Sequence, residues 1–182
     1  MNGAESLVET LVAEGVEVCF TNPGTSEMHF IAALDKLPGV RCVLCLFEGV
    51  ATGAADGYAR MARRPAATLL HLGSGLGNGM ANLHNAARAF SPILNIVGDH
   101  ATYHRKFDAP LTSDIESAAR TVSRWVQTAT SSEDVGALAS AAIAEAIKSP
   151  GGPVTLILPA DAAWNEGGCP SKPAGVPVPE SV

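Results

Sequence analysis

The chain has 182 residues, of which 47% are hydrophobic and 16% are charged, and its formal net charge is −6. This size and composition predict one globular domain and exclude a disordered chain. The acidic balance argues against nucleic acid or an anionic membrane surface as a partner, because both require a basic face.

The sequence shows no targeting or membrane-spanning signal. No apolar run approaches the ~18–20 residues of a membrane span, and the N-terminus lacks the basic and apolar regions of a signal peptide. A cytoplasmic location is therefore expected, with reduced cysteines. Cys42 and Cys45 have CxxC spacing, but they lie in an apolar run without a second ligand pair, so we predict no metal site.

Helical and strand-like patterns alternate along the chain. Helices are predicted around 4–12, 27–37, 49–61, 80–90 and 135–147, with Ser26 and either Ser131 or Ser132 as N-caps. Strands are predicted over 16–20, 40–46, 66–72, 93–97, 124–128 and 154–158. The run 40–46 is expected to be buried on both faces, and 98–114 is expected to be a long loop.

This alternation predicts an α/β fold, with a mostly parallel central sheet of about six strands and helices on both faces. Residues 1–164 would form one domain. Residues 165–182 are rich in proline and glycine, which is typical of a linker or tail.

Three segments each end a predicted strand and open a helix: 22–25, 47–49 and 71–78. In an open α/β sheet such segments converge on one rim, where ligands bind. Glu48 stands out because a helix N-terminus favours a carboxylate while burial opposes its ionisation. From the pattern alone, Glu48 could equally be an ordinary acid at a helix start. His71 could act as an acid, base or donor, or simply end its strand.

The glycine run after His71 fits no nucleotide fingerprint. Asn78 and Met80 occupy the positions where the GxGxxG patterns counted from Gly73 and from Gly75 need their third glycine, and a P-loop is absent. The glycines would still let the backbone approach a flat ligand closely.

Several motifs together resemble a known family. Gly3-Ala4-Glu5-Ser6-Leu7-Val8, Asn22-Pro23-Gly24, the segment from Glu48 to Arg60, and Gly75-Leu76-Gly77-Asn78 occur in the order and spacing of thiamine-diphosphate enzymes. Over roughly residues 2–164 the chain resembles the N-terminal, pyrimidine-binding domain of acetolactate synthases and benzoylformate decarboxylase. The resemblance implies a thiamine-diphosphate-binding fold. It also implies a lyase or transferase that decarboxylates 2-keto acids or joins them as a carboligase.

The resemblance also implies roles for individual residues. Glu48 and His71 would be catalytic, Glu48 by hydrogen-bonding the N1′ atom of the aminopyrimidine and favouring its imino tautomer, which activates the thiazolium. The cofactor-binding residues implied are Pro23, Gly24, Thr25, Glu48, Gly73, Gly75 and Asn78.

Departures from the family pattern limit these expectations. Phe47 stands where acetolactate synthases usually have histidine, and Asp99 stands where they have glutamine, so a bound FAD is disfavoured. The Gly-Asp-Gly…Asn motif that holds Mg²⁺ and the diphosphate does not occur. A domain in a longer chain or a partner subunit would supply it, and the isolated chain would be inactive. A homo-oligomer formed through the helices that flank the site is expected.

Two alternatives remain open from the sequence. The chain could be a non-catalytic assembly or regulatory module that retains the fold. A nucleotide-binding protein of doubly wound fold survives only by analogy of fold.

Overall fold

The structure, a computed structural model, describes residues 1–173. One sheet contains the strands β1 (Val18–Asn22), β2 (Arg41–Leu44), β3 (Ala66–Leu70), β4 (Ile93–Asp99), β5 (Val126–Thr128) and β6 (Pro153–Pro159). The helices are α1 (Gly3–Ala13), α2 (Met28–Lys36), α3 (Glu48–Ala62), α4 (Leu72–Arg88), α5 (Ile115–Arg120), α6 (Val135–Ile147) and α7 (Ala160–Trp164). Short 3-10 turns cover Thr25–Glu27 and Arg105–Phe107. The predicted α/β fold is confirmed.

The sheet has the strand order β2-β1-β3-β4-β6-β5, and every neighbouring pair is parallel. The chain adds β2 on one side of β1 and then returns to add β3 on the other side. The carboxyl ends of β1 and β3 therefore flank a topological switch point, which is where open α/β sheets bind their ligands.

Helices cover both faces of the sheet, and each face has its own apolar core. Helices α1, α2 and α6 enclose one core, to which Leu7, Phe30 and Ile143 contribute. Helices α3, α4 and α5 cover the other, with Leu76 and Leu83 among its buried residues. Because both faces are covered, the central strands are apolar at nearly every position, as parallel sheets require.

A polar ladder crosses the middle of the sheet. Thr68, Asn95 and Thr155 are in register on β3, β4 and β6 and are fully buried. The Thr68 hydroxyl donates to Asn95 Oδ1 at 2.9 Å, and Asn95 Nδ2 donates to the Val154 carbonyl at 3.0 Å. A slip of one residue would break these bonds, so the ladder helps to fix the register of the strands that carry the rim.

The prediction that 40–46 is buried on both faces is wrong. β2 is an edge strand, and Arg41, Cys42 and Leu44 are exposed. Leu46, beyond its end, is 92% exposed. A continuous apolar run does not reveal whether a strand has neighbours on both sides.

The glycine-rich segment is helical, and the prediction of a turn before a helix at 80 is wrong. Helix α4 begins at Leu72 and includes the whole run. The glycines allow helix α3 to pack closely, since a Cβ at Gly79 would lie 2.8 Å from the Thr52 side chain. Helices α5 and α7 were not predicted from the sequence pattern.

The predicted serine caps are also wrong. Ser26 lies inside the 3-10 turn, and helix α2 begins after Glu27 without a side-chain cap. Asp134 is the N-cap of α6, while the Ser132 hydroxyl donates to the Glu166 carbonyl at 2.6 Å.

Residues 165–173 pack against the domain. The Ser171 amide donates to Thr10 Oγ1 at 3.0 Å, and a Cβ at Gly136 would strike the Cys169 carbonyl. The rest of the predicted linker, 174–182, lies outside the described residues. Among residues 1–173, none of the helices has both the length and the apolar character needed to span a bilayer.

Candidate functional site at the rim of the sheet

Glu48 is buried at the rim of the sheet, where helix α3 begins. Its residue is only 6% exposed. Asn78 Nδ2, on helix α4, donates to Glu48 Oε2 at 2.9 Å. Glu48 Oε1 lies 2.9 Å from the position that a Cβ on Gly75 would occupy. Glycine at 75 therefore keeps the space beside this carboxylate free.

Contacts between α3 and α4 fix the position of Glu48. Asn82 Nδ2 donates to the Gly49 carbonyl at 2.7 Å, and the Thr52 hydroxyl donates to the Gly79 carbonyl at 3.1 Å. The first turn of α3 is thus held against α4 at two positions that directly follow the glutamate. The carboxylate is preorganised by the scaffold and also lies at the positive end of the helix dipole.

A second buried acid, Glu27, pairs with His71. Glu27 is 3% exposed, and its Oε2 lies 2.8 Å from His71 Nδ1 and accepts from the Gly24 amide at 2.7 Å. Within residues 1–173, Oε1 of Glu27 has no hydrogen-bond partner. Burial raises the pKa of Glu27, and the bond to His71 opposes that rise only in part.

Sequence reasoning missed Glu27. It treated this acid as the first residue of a helix. The overlooked signal is the spacing Gly24-x-x-Glu27, in which an acid three residues after a turn can return to accept the backbone amide.

Two glycines enclose the Glu27–His71 pair. A Cβ at Gly24 would collide with the His71 imidazole, and a Cβ at Gly98, at the end of β4, would collide with the Glu27 carboxylate. The pair thus sits where the carboxyl ends of β1, β3 and β4 meet. Only glycine fits at either position without displacing the pair.

Leu72 turns the chain directly after His71. It is fully buried, and its φ of 50° lies in the left-handed region. This conformation costs a non-glycine residue ~1–2 kcal/mol, and such strain tends to persist at functional sites. Here it turns the backbone from the end of β3 directly into helix α4.

The other implied cofactor residues are spread along the same rim. Pro23 and Gly24 follow β1 directly. Thr25 lines a cavity of about 230 Å³ together with His100, Tyr103 and Trp164. Gly73 packs against the Ser113 side chain. Gly75 and Asn78 contact Glu48, so these two positions are the ones that the structure joins to the glutamate.

A larger cavity of about 540 Å³ lies at the ends of β4, β5 and β6, away from Glu48 and His71. Asp99 lines it, pairs with Arg105 Nη2 at 2.6 Å and accepts from the His100 amide at 2.7 Å. Burial raises the pKa of Asp99, and Arg105 opposes the rise. Residues 1–173 contain no group of three or more potential metal ligands.

The arrangement can bind a flat, nitrogen-containing ring and handle protons beside it. Glu48 offers a buried carboxyl group next to a surface without side chains at Gly75. His71, whose Nδ1 contacts Glu27, places an imidazole on the same rim, and an imidazole can donate or accept a proton. A buried carboxyl group forms stronger hydrogen bonds than an exposed one, because water does not compete for it.

Residues 1–121 match the family described as "Thiamine pyrophosphate enzyme, N-terminal TPP binding domain". A Mycobacterium tuberculosis protein provisionally named acetolactate synthase large subunit IlvX is 63% identical over 183 residues, which cover 98% of this chain and 35% of that protein. Benzoylformate decarboxylase of Pseudomonas aeruginosa is 34% identical, over 92% of this chain and 31% of its own.

A solved structure gives the same result. The thiamine diphosphate-dependent 4-hydroxybenzoylformate decarboxylase of Rhodococcus jostii RHA1 superposes with a TM-score of 0.87 at 29% identity, over 93% of this chain and 32% of that one. The chain thus spans about a third of the length of these relatives. It belongs to the thiamine pyrophosphate enzyme family and comprises that family's N-terminal TPP-binding domain.

Proposed function

We propose that this chain is the cofactor-activating part of a thiamine-diphosphate-dependent 2-keto-acid decarboxylase or acetolactate-synthase-like carboligase. The observation that carries the proposal is the buried Glu48, with one carboxylate oxygen held by Asn78 and the other beside Gly75. The relatives include one named as an acetolactate synthase subunit and one named as a decarboxylase. The geometry of the rim is compatible with either activity.

The residues present fit an aminopyrimidine ring. Glycine at 75 keeps the Glu48 carboxyl group uncrowded, since a Cβ there would lie 2.9 Å from Oε1, and this carboxyl group can share a proton with a ring nitrogen. Asn78 donates to Oε2 and leaves Oε1 for the ligand. Pro23, Gly24, Thr25 and Gly73 complete the proposed binding rim. When bound, thiamine diphosphate supplies a thiazolium that stabilises the electron pair left by decarboxylation.

Glu48 would hydrogen-bond the pyrimidine nitrogen through its carboxyl group. Its burial strengthens that hydrogen bond, because water does not compete for it. Because the scaffold fixes the side chain before a ligand arrives, little ordering cost remains at the moment of reaction.

His71 moves protons at the reacting end of the substrate. With Glu27 accepting from Nδ1–H, Nε2 of the ring is free to take up or deliver a proton. Glu27 acts through His71 by setting its tautomer and its orientation. It is therefore a positioning residue.

The proposal requires a complementary domain for the diphosphate and Mg²⁺. An exposed apolar surface adjoins Glu48 and consists of Leu44, Leu46, Phe47 and Val50. Surfaces of this kind mark contacts with other proteins or domains. We propose that this surface receives the complementary domain or a second copy of the chain, which would form the homo-oligomer and exclude water from the carboxylate.

A matched pair of glycine variants on helix α4 tests the cofactor assignment. Gly75→Ala places a methyl group 2.9 Å from Glu48 Oε1 and 3.3 Å from the Leu70 carbonyl carbon, whereas a methyl group at Gly77 meets no atom of residues 1–173 within 4 Å. Both variants gain the same helix propensity, ~1 kcal/mol. In calorimetry on the protein assembled with its diphosphate-binding domain, we expect Gly75→Ala to weaken thiamine diphosphate binding at least tenfold.

The control and a competing ligand sharpen this test. Gly77→Ala should bind thiamine diphosphate as the parent protein does. Equal affinities for the two variants would mean that the pyrimidine of the cofactor does not bind beside Glu48. Tight binding of ADP or FAD, with no binding of thiamine diphosphate, would favour a nucleotide-binding protein instead.

A further inference from the structure

Two cysteines face each other across the edge of the sheet. Cys19 on β1 and Cys42 on β2 are direct register partners. Neighbouring strands lie about 4.7–4.9 Å apart, a spacing within the ~4.4–6.8 Å between Cα atoms that disulfides span. Both cysteines are free thiols.

The two side chains point to the same face of the sheet. Cys42 Sγ lies 3.5 Å from Thr21 Oγ1, and Thr21 shares a face with Cys19 because side chains alternate along β1. Cys45 is three residues beyond Cys42, packs into the core on the α3 side, and places its Sγ 3.7 Å from the Val43 carbonyl. Cys19, and not Cys45, is therefore the partner on the side that Cys42 faces.

Cys42 and Cys19 differ in their accessibility to solvent, and this difference decides which of them reacts first. Cys42 is exposed on the edge strand, so an oxidant can reach it, whereas Cys19 is fully buried. Burial raises the pKa of the Cys19 thiol far above its usual range, with nearby Cys42 and Cys45 adding to the effect. Oxidation therefore begins at Cys42, and Cys19 is the second thiol to react.

We propose that Cys42 and Cys19 form a two-electron oxidation site that hydrogen peroxide converts into a cross-strand disulfide. The Cys42 thiolate attacks a peroxide oxygen, so that an S–O bond forms, the O–O bond breaks and hydroxide leaves. The Cys19 sulfur then attacks the Cys42 sulfenic acid, an S–S bond forms, and water leaves with the Cys19 proton. Two thiols are oxidised by two electrons, and one peroxide is reduced to two waters.

The edge position of β2 makes the closure feasible. Cβ atoms joined by a disulfide are about 3.8 Å apart, so a local tilt of the two residues must bring their Cβ atoms together by up to ~1 Å from the normal strand spacing while the backbone hydrogen bonds between β1 and β2 stay in place. Within residues 1–173, β2 has a strand neighbour on one side only, which leaves it room for this adjustment. The disulfide would tie down the strand that leads, through residues 45–47, to Glu48.

A chain carrying Cys45→Ser and Cys169→Ser isolates the pair, because only Cys19 and Cys42 of the four cysteines remain. Trypsin cuts after Lys36 and Arg41 and places the two cysteines in separate peptides, 1–36 and 42–60. After peroxide treatment, we expect mass spectrometry without reductant to find these peptides joined with the loss of two hydrogens. Free thiols should fall from two to none and return on reduction.

The parent chain and one further variant complete the test. In the parent, the same link between 1–36 and 42–60 should dominate over a bond inside 42–60, so the result does not depend on how well the double variant folds. In Cys42→Ser the link should disappear. Recovery of Cys42 as sulfinic acid, or as a bond to Cys45 or to a second chain, with Cys19 unmodified, would overturn the proposal.

Discussion

Helix α3 carries two buried acids whose surroundings differ. Asp56 is 9% exposed and has donors on both oxygens: Arg60 donates to its two oxygens at 2.8 and 2.6 Å, and the Ser91 hydroxyl donates to Oδ1 at 2.5 Å. Glu48 is as buried, but in residues 1–173 its hydrogen-bond donor is Asn78 alone.

This difference distinguishes a structural acid, Asp56, from Glu48, the acid that we propose to be functional. A buried carboxylate with hydrogen-bond donors on both oxygens holds elements together, and here Asp56 ties α3 to the segment before β4. A buried carboxylate with free capacity costs folding free energy, which is tolerated where a ligand completes the site. Glu27 resembles Glu48 in this respect, because within the described part of the chain its Oε1 has no hydrogen-bond partner.

The largest effect on stability is therefore expected at Asp56. Asp56→Asn should lower the free energy of unfolding by ~2–3 kcal/mol, because it breaks a buried charge-assisted network. Glu48→Gln should change it by less than ~1 kcal/mol, since a glutamine oxygen can still accept from Asn78. Urea unfolding of both variants measures the contrast.

Helix α5 offers a control for Asp56. Glu116 and Arg120 have the same i,i+4 spacing as Asp56 and Arg60, but both are exposed and 3.4 Å apart. Glu116→Gln should cost less than ~0.5 kcal/mol. If Asp56→Asn were equally mild, the division of α3 into a structural and a functional acid would fail.

A smaller, pH-dependent effect is expected at Glu27. Its pKa is raised in the folded chain, mainly by burial. Ionising Glu27 therefore lowers the stability of the folded chain. The stabilising contribution of the neutral group is fully present below the usual pKa range of glutamate, and it is lost as the pH rises through the elevated pKa. Glu27→Gln should be more stable than the parent at pH 8, and the difference should vanish near pH 4. A difference that grows toward low pH would contradict the assignment.

The sequence predicted the sheet well, because alternating apolar runs and helical periods are local signals. It also placed Glu48 at the junction of a strand and a helix, which the structure has between 44 and 48. The exposure of β2 was predicted wrongly, since strand neighbours are decided by topology and not by the composition of the strand.

The site was predictable only in part. Family resemblance identified Glu48, His71, Gly75 and Asn78 as candidates, and their roles stay predictions. Glu27 was missed because its importance arises from a contact with His71, 44 residues away. The helical glycines were mistaken for a turn, because their close packing against α3 cannot be inferred from propensity.

The central claim is that Glu48 activates the cofactor, and hydrogen exchange at the C2 atom of bound thiamine diphosphate tests it most directly. In the protein assembled with its diphosphate-binding domain, Glu48→Gln should slow this exchange by orders of magnitude, whereas Glu133→Gln, an exposed acid on the surface, should leave it unchanged. Exchange at the parent rate in Glu48→Gln, with the cofactor still bound, would contradict the account and favour a module that keeps the fold without taking part in catalysis.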